Sequence, residues 1–493
     1  MFKIAFIGAG SIGFTRRLLS DILAVPELRN CEIAFTDINE RNMEMVRALC
    51  QRDIEVNGLK IKIHATTNRR KALEGARYIF SMVRIGGVEA FKPRVEIPLK
   101  YGVDQCIGDT LCPGGIFYGQ MGIPVVLDFC RDMREVSEKD CLFMNYANPN
   151  AMLTWAANKY GKVRTLGLCH GVEGGRLKIA AALNAAPEDI DIVCAGINHQ
   201  TWYIEVRYKG RLVPQDKILK GMEADPKISV EEKVRIDMFR RFGYFSTESN
   251  GHLSEYLPWY RKRPEELAKW ISLDHWVFGE TAGGLRVVTE GRNWFMHDYP
   301  NWMKEPPKKY EMKNRTHEHG SYIIEALETG RIYRGFFNTP NNACISNLPA
   351  DAIIEGPGYV DRNGVSMALI GDLPLGCAAV CNASISVQRL SVEAAVHGDE
   401  QLLLQAMMMD PLTAAVCTPP EIAGMTDELL VALSSWLPQY KNKIAAAKKR
   451  LKKGPPVPYR GKVTDGIRCK TKTIKEMEKN AKTASRNAAT ADK

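Results

Sequence analysis

No apolar run in this 493-residue chain approaches the about 18 consecutive residues that a membrane-crossing helix needs, so a helical membrane protein is excluded. Neither a Cys-x-x-Cys nor a His-x-x-x-His pair occurs, which removes the usual spacing signature of a structural zinc site. There is no internal repeat. The 13 cysteines are odd in number and irregular in spacing, in a chain too large to need staples. Reduced thiols in a cytoplasmic protein are therefore expected. Net positive charge is confined to the last segment. The net charge is +10, but residues 441–493 hold 17 Lys and Arg against 4 Asp and Glu, which leaves the first 440 residues slightly acidic. That distribution makes nucleic acid an unlikely partner of the body. The tail, with its Gly454-Pro455-Pro456 break and few large apolar residues, reads as disordered or as a loosely attached helix.

What is present begins at the amino end. Residues 3–7 form a short apolar, partly β-branched run, followed by Gly8-Ala9-Gly10-Ser11-Ile12-Gly13 and a helix-compatible stretch to residue 23. The order is strand, glycine turn, helix, so the apolar start reads as a first strand and not as a secretory leader. Gly8 permits the tight turn, Gly10 lets a pyrophosphate approach the backbone, and Gly13 is expected to allow close helix packing; Ser11 lies at the helix start, facing the phosphates. A second apolar run, residues 33–36, ends at Asp37, where a carboxylate can accept a ribose 2′-hydroxyl. Asp37 argues for NAD over NADP.

Further short apolar runs at 61–65, 78–83, 141–146 and 165–168 alternate with amphipathic segments, the pattern of a doubly wound parallel sheet. Beyond residue 196 the alternation gives way to longer helical stretches with strand candidates such as 202–207. The expected class is α/β, a Rossmann-type doubly wound sheet like that of lactate and malate dehydrogenases, with a C-terminal α+β substrate domain. The expected division is 1–195 for NAD, 196–440 for substrate, metal and oligomerisation, and 441–493 for the basic tail. With 45% hydrophobic residues the chain can bury a large core shared by two closely joined domains.

Three polar groups follow strand candidates. Asn148 stands in Ala147-Asn148-Pro149-Asn150, Cys169 in Leu168-Cys169-His170-Gly171, and His199 after Ile197-Asn198. In parallel sheets the carboxyl ends of the strands form the ligand-binding rim, so the three are expected to converge. A thiolate and a neutral imidazole suit a borderline divalent ion. Taken singly, a Cys is as readily a small buried apolar residue and a His a structural hydrogen-bonder.

With these residues the chain resembles family 4 of the glycoside hydrolases, the NAD- and manganese-dependent glycosidases, and within it the α-galactosidase branch. The likeness extends from the start to about residue 438. It is carried by Gly8-Ala9-Gly10-Ser11, Asp37-Ile38-Asn39, Ile85-Gly86-Gly87, Asp109-Thr110 with Pro113-Gly114-Gly115, Asn145-Tyr146-Ala147-Asn148-Pro149, Gly167-Leu168-Cys169-His170, Ala195-Gly196-Ile197-Asn198-His199, and the segment from Gly243-Tyr244-Phe245 to Tyr256. The resemblance implies that Cys169 and His199 hold Mn2+ or a similar ion, that Asn148 and His170 contact the sugar, and that Asp109 lies in the sugar site. There Asp109 would assist departure of the leaving group or bind a hydroxyl. It further implies a small-molecule glycoside as substrate and a homodimer or homotetramer. The implied chemistry is oxidation at sugar C3 by bound NAD, C2 deprotonation beside the metal, elimination of the glycosidic oxygen, and addition of water before the hydride returns, an exception to two-carboxylate hydrolysis. The base in the family is a tyrosine. Tyr256 in Ser254-Glu255-Tyr256-Leu257 is the match, with Tyr260 as local competitor, and His252 is a peripheral candidate.

Some positions depart from the α-galactosidase pattern. Gly171 stands where Ser is typical, Cys112 where glycine is common, and Ile116-Phe117-Tyr118-Gly119-Gln120-Met121 where arginines usually occur. These leave α-glucosidase and α-galacturonidase or α-glucuronidase as alternatives, with Arg84 and Arg94 as candidate partners of a uronate carboxylate. From a different class, an NAD-dependent dehydrogenase of a hydroxy acid or sugar would use the same cofactor half but would not need a thiolate ligand.

Overall fold

The computed structural model describes residues 1–272, 279–290, 298–454 and 458–459. Strand β1 (Phe2–Ile7) is apolar and buried along nearly its whole length, and the chain turns from it into helix α1 (Ile12–Ala24). Leu18, Leu19, Ile22 and Leu23 of that helix face inwards. Strands β2 (Cys31–Thr36), β3 (Ile63–Ala65), β4 (Tyr78–Ser81), β5 (Leu142–Asn145) and β6 (Thr165–Gly167) complete a parallel array ordered β3-β2-β1-β4-β5-β6. This is the strand order of a dinucleotide fold. The runs are continuously apolar because helices cover both faces.

The strands of the second half start no separate sheet. β7 (Ile190–Ile197), β8 (Gln200–Tyr208) and β9 (Arg211–Leu212) form an antiparallel edge, and β10 (Tyr333–Pro340) with β11 (Ile353–Asp361) joins that edge to β6. β12 (Gly364–Met367) pairs with β11, so one twelve-stranded sheet crosses the described residues. The β10–β11 pair escapes a reading by apolar runs because Gly335, Pro340, Gly356, Pro357 and Gly358 interrupt it. Glycine and proline weaken the strand signal even where tertiary pairing supplies the hydrogen bonds.

Helices α2 (Cys112–Val136) and α3 (Gly171–Ala182) follow site loops, α4 (Asn250–Tyr256) carries the candidate base, and α5 (Leu375–His397) packs along α2. The first part of the basic tail is a packed helix, α6 (Lys441–Leu451), with Ile444 and Ala447 buried and Arg450 Nε donating to Asp427 Oδ2 at 2.8 Å. The expectation of disorder for residues 455–457 and 460–493 lies outside the described residues. Among the described residues no helix is long and apolar enough to cross a membrane.

One buried ion pair ties the two halves at the loop before α2. Arg261 Nη2 donates to Asp104 Oδ1 at 2.6 Å, its Nε donates to Asp104 O at 2.9 Å, and Thr281 Oγ1 donates to Asp104 Oδ2 at 2.6 Å. Neither charged side chain is appreciably exposed. Removing one partner leaves the other charge buried without compensation, a loss of about 3–5 kcal/mol. Arg261→Met is therefore expected to lower unfolding stability by that amount in a denaturant titration. Arg261→Met combined with Asp104→Leu should recover part of the loss, because the stranded carboxylate is gone.

Candidate active site

At the amino-terminal turn Gly8 adopts φ +83°, a conformation that side-chain-bearing residues rarely take, and an added Cβ there would lie 3.1 Å from the Met82 backbone. Gly10 N–H donates to Asp37 Oδ2 at 2.8 Å, and a Cβ on Gly10 would approach that oxygen to 2.9 Å. Asp37 also accepts the Asn39 N–H at 2.8 Å through Oδ1, which fixes its carboxylate at the end of β2. Ser11 is the residue before α1, and its side chain makes no capping hydrogen bond. The first N–H groups of α1 therefore point outwards without a side-chain acceptor, as an anion-binding helix start requires. The close packing expected at Gly13 is not found: a Cβ there would meet nothing within 4 Å. That glycine borders open space at the helix start, and room for a ligand is a better account of it than packing.

The loop ahead of α2 is held by groups buried on both sides. The Glu255 carboxylate, fully buried, accepts the N–H groups of Cys106 at 2.8 Å, Ile107 at 3.1 Å and Gly108 at 3.0 Å. Arg94 Nη1 donates to the carbonyls of Gly108 at 3.1 Å and Gly114 at 2.9 Å. Its guanidinium lies 4.2 Å from the centre of the Tyr118 ring. This argues against Arg94 as a partner for a uronate carboxylate: its Nε donates to Ala90 O and its Nη1 to the two loop carbonyls, the side chain is buried, and burial pushes it down to about 10. Arg84 is exposed, with its guanidinium over Phe91. Cys112 sits at φ +61°, which accounts for a glycine being common at this place, and its Sγ donates to Glu255 O at 2.8 Å.

The loop presents Asp109 and Thr110 to the sheet rim. Asn148 Nδ2, beyond the end of β5, donates to Asp109 Oδ2 at 2.8 Å, and Thr110 Oγ1 donates to Asp109 Oδ1 at 2.8 Å. Thr110 Oγ1 is also 2.9 Å from His199 Nδ1. An ionised Asp109 only accepts, so it takes the hydroxyl proton, and His199 Nδ1 must donate to the same oxygen. His199 Nε2 is then left with a free lone pair. His199 stands in the two-residue turn between β7 and β8 at φ +62°, a conformation costly for this residue type. The Tyr256 hydroxyl, at the end of α4, is 3.4 Å from His199 Nδ1. Tyr260 is directed elsewhere: its hydroxyl donates to Asp237 Oδ2 at 2.9 Å, and its ring meets Trp270 edge-on.

Cys169 follows β6. Ligand atoms of Cys169, His199 and Glu248 lie within 4.8 Å of one another, as do those of Asp109, His199 and His252. Sequence reasoning left out Glu248 and placed His252 only at the margin. His252 Nδ1 is 3.1 Å from Glu248 Oε2, and its Nε2 is 3.8 Å from Asp109 Oδ1. His170 stays out of the cluster. It is exposed at the start of α3, with its ring 6.5 Å from that of Phe14 in α1, on the cofactor-turn side. Two groups behind the rim also went unread. His319 Nε2 donates to Cys169 O at 3.2 Å while its Nδ1 takes the Tyr333 hydroxyl at 2.6 Å, and the buried Glu355 accepts from Asn198 Nδ2 at 3.5 Å. Both come from the second half, where no local motif marks them.

Burial pushes the Cys169 thiol well up, and the Glu355 and Glu248 carboxylates add to it. Burial also keeps His199 neutral, and it pushes Glu355 up to about 8. For Asp109 burial alone would raise the carboxyl, but His252, His199, Thr110 and Asn148 outweigh it and hold it low. Glu248 is likewise lowered against its burial by His252, His199 and His170. The fit to a divalent cation is direct: a thiol next to carboxylates, a neutral imidazole with a free lone pair, and a Glu248 Oε2 buried without a hydrogen bond.

A phosphate-accepting turn facing a buried thiol, imidazole and carboxylate along one sheet rim is the arrangement of a dinucleotide-fold enzyme with a metal-suited pocket. Two family models match the chain, Family 4 glycosyl hydrolase over residues 3–185 and Family 4 glycosyl hydrolase C-terminal domain over residues 194–413. The chain belongs to family 4 of the glycosyl hydrolases. It is 58% identical over 450 residues to an α-galactosidase of Rhizobium meliloti (strain 1021), covering 91% of this chain and 92% of that protein. An α-galactosidase of Bacillus subtilis (strain 168) is 34% identical over 453 residues, 90% of this chain and all of that protein. Two solved structures share the fold. The putative glucosidase lplD of Bacillus subtilis gives a TM-score of 0.75 at 24% identity over 87% of this chain and 100% of that one. The 6-phospho-β-glucosidase of Thermotoga maritima, solved with manganese, NAD+ and glucose-6-phosphate, gives 0.72 at 22% identity over 88% and 99%.

Burial lowers His252, but Glu248 and Asp109 outweigh it and raise the imidazole above its ordinary value. A group raised in the folded state contributes stability that is complete below its unfolded pKa, about 6.5, and is lost as pH rises through the folded value. In metal-free protein His252→Gln should therefore lower the melting temperature more at about pH 6 than at about pH 9. An equal loss at both would show that His252 carries no charge in the folded state.

Proposed function

We propose that this enzyme is an NAD- and divalent-metal-dependent α-galactosidase, in which residues 1–195 carry the cofactor and residues 196–440 close over the glycoside. The observation that carries the mechanism is the placement of the Tyr256 hydroxyl beside His199, in one pocket with Cys169, Asp109 and Asn148. The choice of sugar is supported by the two α-galactosidases at 58% and 34% identity. NAD would lie at Gly8, Gly10, Ser11, Gly13 and Asp37, and the metal at Cys169 and His199. When bound, NAD supplies a hydride acceptor and the ion a Lewis acid. The Thermotoga maritima structure with both is a parallel for this pairing.

The chain's own residues then divide the work. Asn148 is oriented by Asp109, and together they offer a donor and an acceptor to sugar hydroxyls. Thr110 sets the His199 tautomer. Burial, then Asp109 and Glu255, hold the Tyr256 phenol protonated, so it removes a C2 proton only where positive charge offsets them. His170, exposed with its ring near Phe14 of α1, is read as a contact for the substrate. The reading includes a cytoplasmic homo-oligomer. The twelve described cysteines are free, and Leu369 and Leu375 are each exposed, as residues covered in an assembly would be in a single chain.

The test is release of p-nitrophenol from α-galactoside, α-glucoside and α-galacturonide substrates, with NAD and Mn2+ each present or omitted under reducing conditions. The galactoside should be cleaved fastest, only with both cofactors, and without net NADH. Accumulation of NADH without cleavage would make the enzyme a dehydrogenase. Tyr256→Phe should lose about 10²–10⁴-fold in rate and lose solvent exchange at C2, the contribution of a positioned base. Cys169→Ser should lose metal-dependent turnover while NAD binding is retained.

A further inference from the structure

Glu248 reaches the pocket because residues 245–248 run alongside β8. Phe245 O accepts the Tyr203 N–H at 3.0 Å, and Thr247 N–H donates to Thr201 O at 2.9 Å. This register sets Glu248 against the turn that holds His199. Glu248 Oε2 is buried, makes no hydrogen bond, and lies 3.9 Å from His199 Nε2. That nitrogen bears a lone pair, because Nδ1 donates to Thr110 Oγ1. Two acceptors thus face each other, with the Cys169 sulfur within 4.8 Å of both. Left alone the arrangement is repulsive; a cation between them makes it favourable. Ligand atoms about 2.1 Å from a shared ion lie at most about 4.2 Å apart, which accommodates the observed separation.

His252 offsets the charge of Glu248 but makes no hydrogen bond to its Oε2. Its Nδ1 comes within 3.1 Å, but its hydrogen bond runs to Ser249 Oγ at 2.8 Å. A second, independent feature is Gly171, the first residue of α3. A Cβ there would lie 2.6 Å from Glu248 Cγ and 3.5 Å from Cys169 Sγ, so any side chain at this position drives Glu248 from its place. Helix propensity gives no reason for glycine, since alanine is the better residue.

We propose that Glu248 is a third protein ligand of the divalent ion held by Cys169 and His199, and that Gly171 is required to leave it room. The proposal rests on the reading of Cys169 and His199 as the metal pair. A carboxylate added to a thiolate and an imidazole raises the negative charge of the site and favours a manganese-like ion.

The experiment is titration of Mn2+ into full-length, metal-free protein, read by calorimetry and by the EPR signal of free Mn2+, without substrate. Folding of each variant is checked by thermal melting. Glu248→Gln should weaken Mn2+ binding by at least about 10–100-fold. Gly171→Ala should weaken it comparably with its melting temperature unchanged or raised, and the double variant should bind no worse than Glu248→Gln. Wild-type affinity in Glu248→Gln alongside lost affinity in Cys169→Ser would overturn the proposal and leave the metal pair standing. Absence of Mn2+ binding by the wild type would remove the metal reading and the proposal with it. Should Glu248→Gln melt early, Gly171→Ala decides: full Mn2+ affinity there overturns the proposal.

Discussion

The site depends on a carboxylate that touches no substrate. Glu255, fully buried, gathers the N–H groups of Cys106, Ile107 and Gly108, and the next residue is Tyr256. A buried anion without such donors would be expelled or neutralised. Here three backbone donors converge on it, and the Asp109 loop cannot move without giving them up. Arg94 grips the same loop through its carbonyls, and Arg261 pins its start at Asp104. The distance from Tyr256 to His199, and from Asp109 to Asn148, is set jointly by this clamp and by the strand ends that carry His199 and Asn148. Positioning to within a fraction of an ångström is what proton transfer at a carbon acid demands.

The second constraint is electrostatic. Carboxylates at Glu248, Asp109 and Glu355, a thiol at Cys169 and a buried phenol at Tyr256 surround an imidazole that burial keeps neutral. The carboxylates raise the cost of ionising the Cys169 thiol and the Tyr256 phenol, while His252 holds Asp109 and Glu248 low. Fold stability alone gives no reason to collect them, and the left-handed backbone at His199 adds strain to the same spot. Further positive charge inside the cluster makes it more favourable, and thiol and phenol then ionise more readily. The pocket is built for an occupant, and its polarity in the absence of one is the mark of that.

Much of this was readable from the residues. Gly8, Gly10 and Asp37 declare themselves because a strand, a turn and a helix must follow in order within forty residues, and Asn148, Cys169 and His199 because each ends an apolar run. Glu248, Glu355 and His319 left no such trace. They reach the rim through the segment along β8, through β11 and through the helix at His319–Thr329, so their proximity is created by tertiary pairing across long stretches of chain. The β10–β11 strands were hidden by their own glycines and prolines. Tyr256 and Tyr260 were inseparable by spacing alone, since four residues apart on a helix share a face. The chain bends after Tyr256, and Tyr260 turns to Asp237 instead.

The departures from the α-galactosidase pattern take on a different weight once placed. Residues 116–121, where arginines were expected, point into the interior: Gln120 Oε1 accepts the Tyr440 hydroxyl at 2.7 Å and its Nε2 donates to Ser391 O at 2.9 Å. Gly119 meets Met152, and the ring of Tyr118 carries the guanidinium of Arg94. An arginine at position 120 would have to bury its charge between α2 and α5, where Gln120 is fully buried. Arg94 holds the Asp109 loop from behind. Cys112 keeps the glycine conformation and gains a hydrogen bond to Glu255 O. Gly171 frees the space that Glu248 fills. The substitutions thus lie behind the loop and beside the thiol, while Asp109, Asn148, His199 and Tyr256 stand together in one pocket.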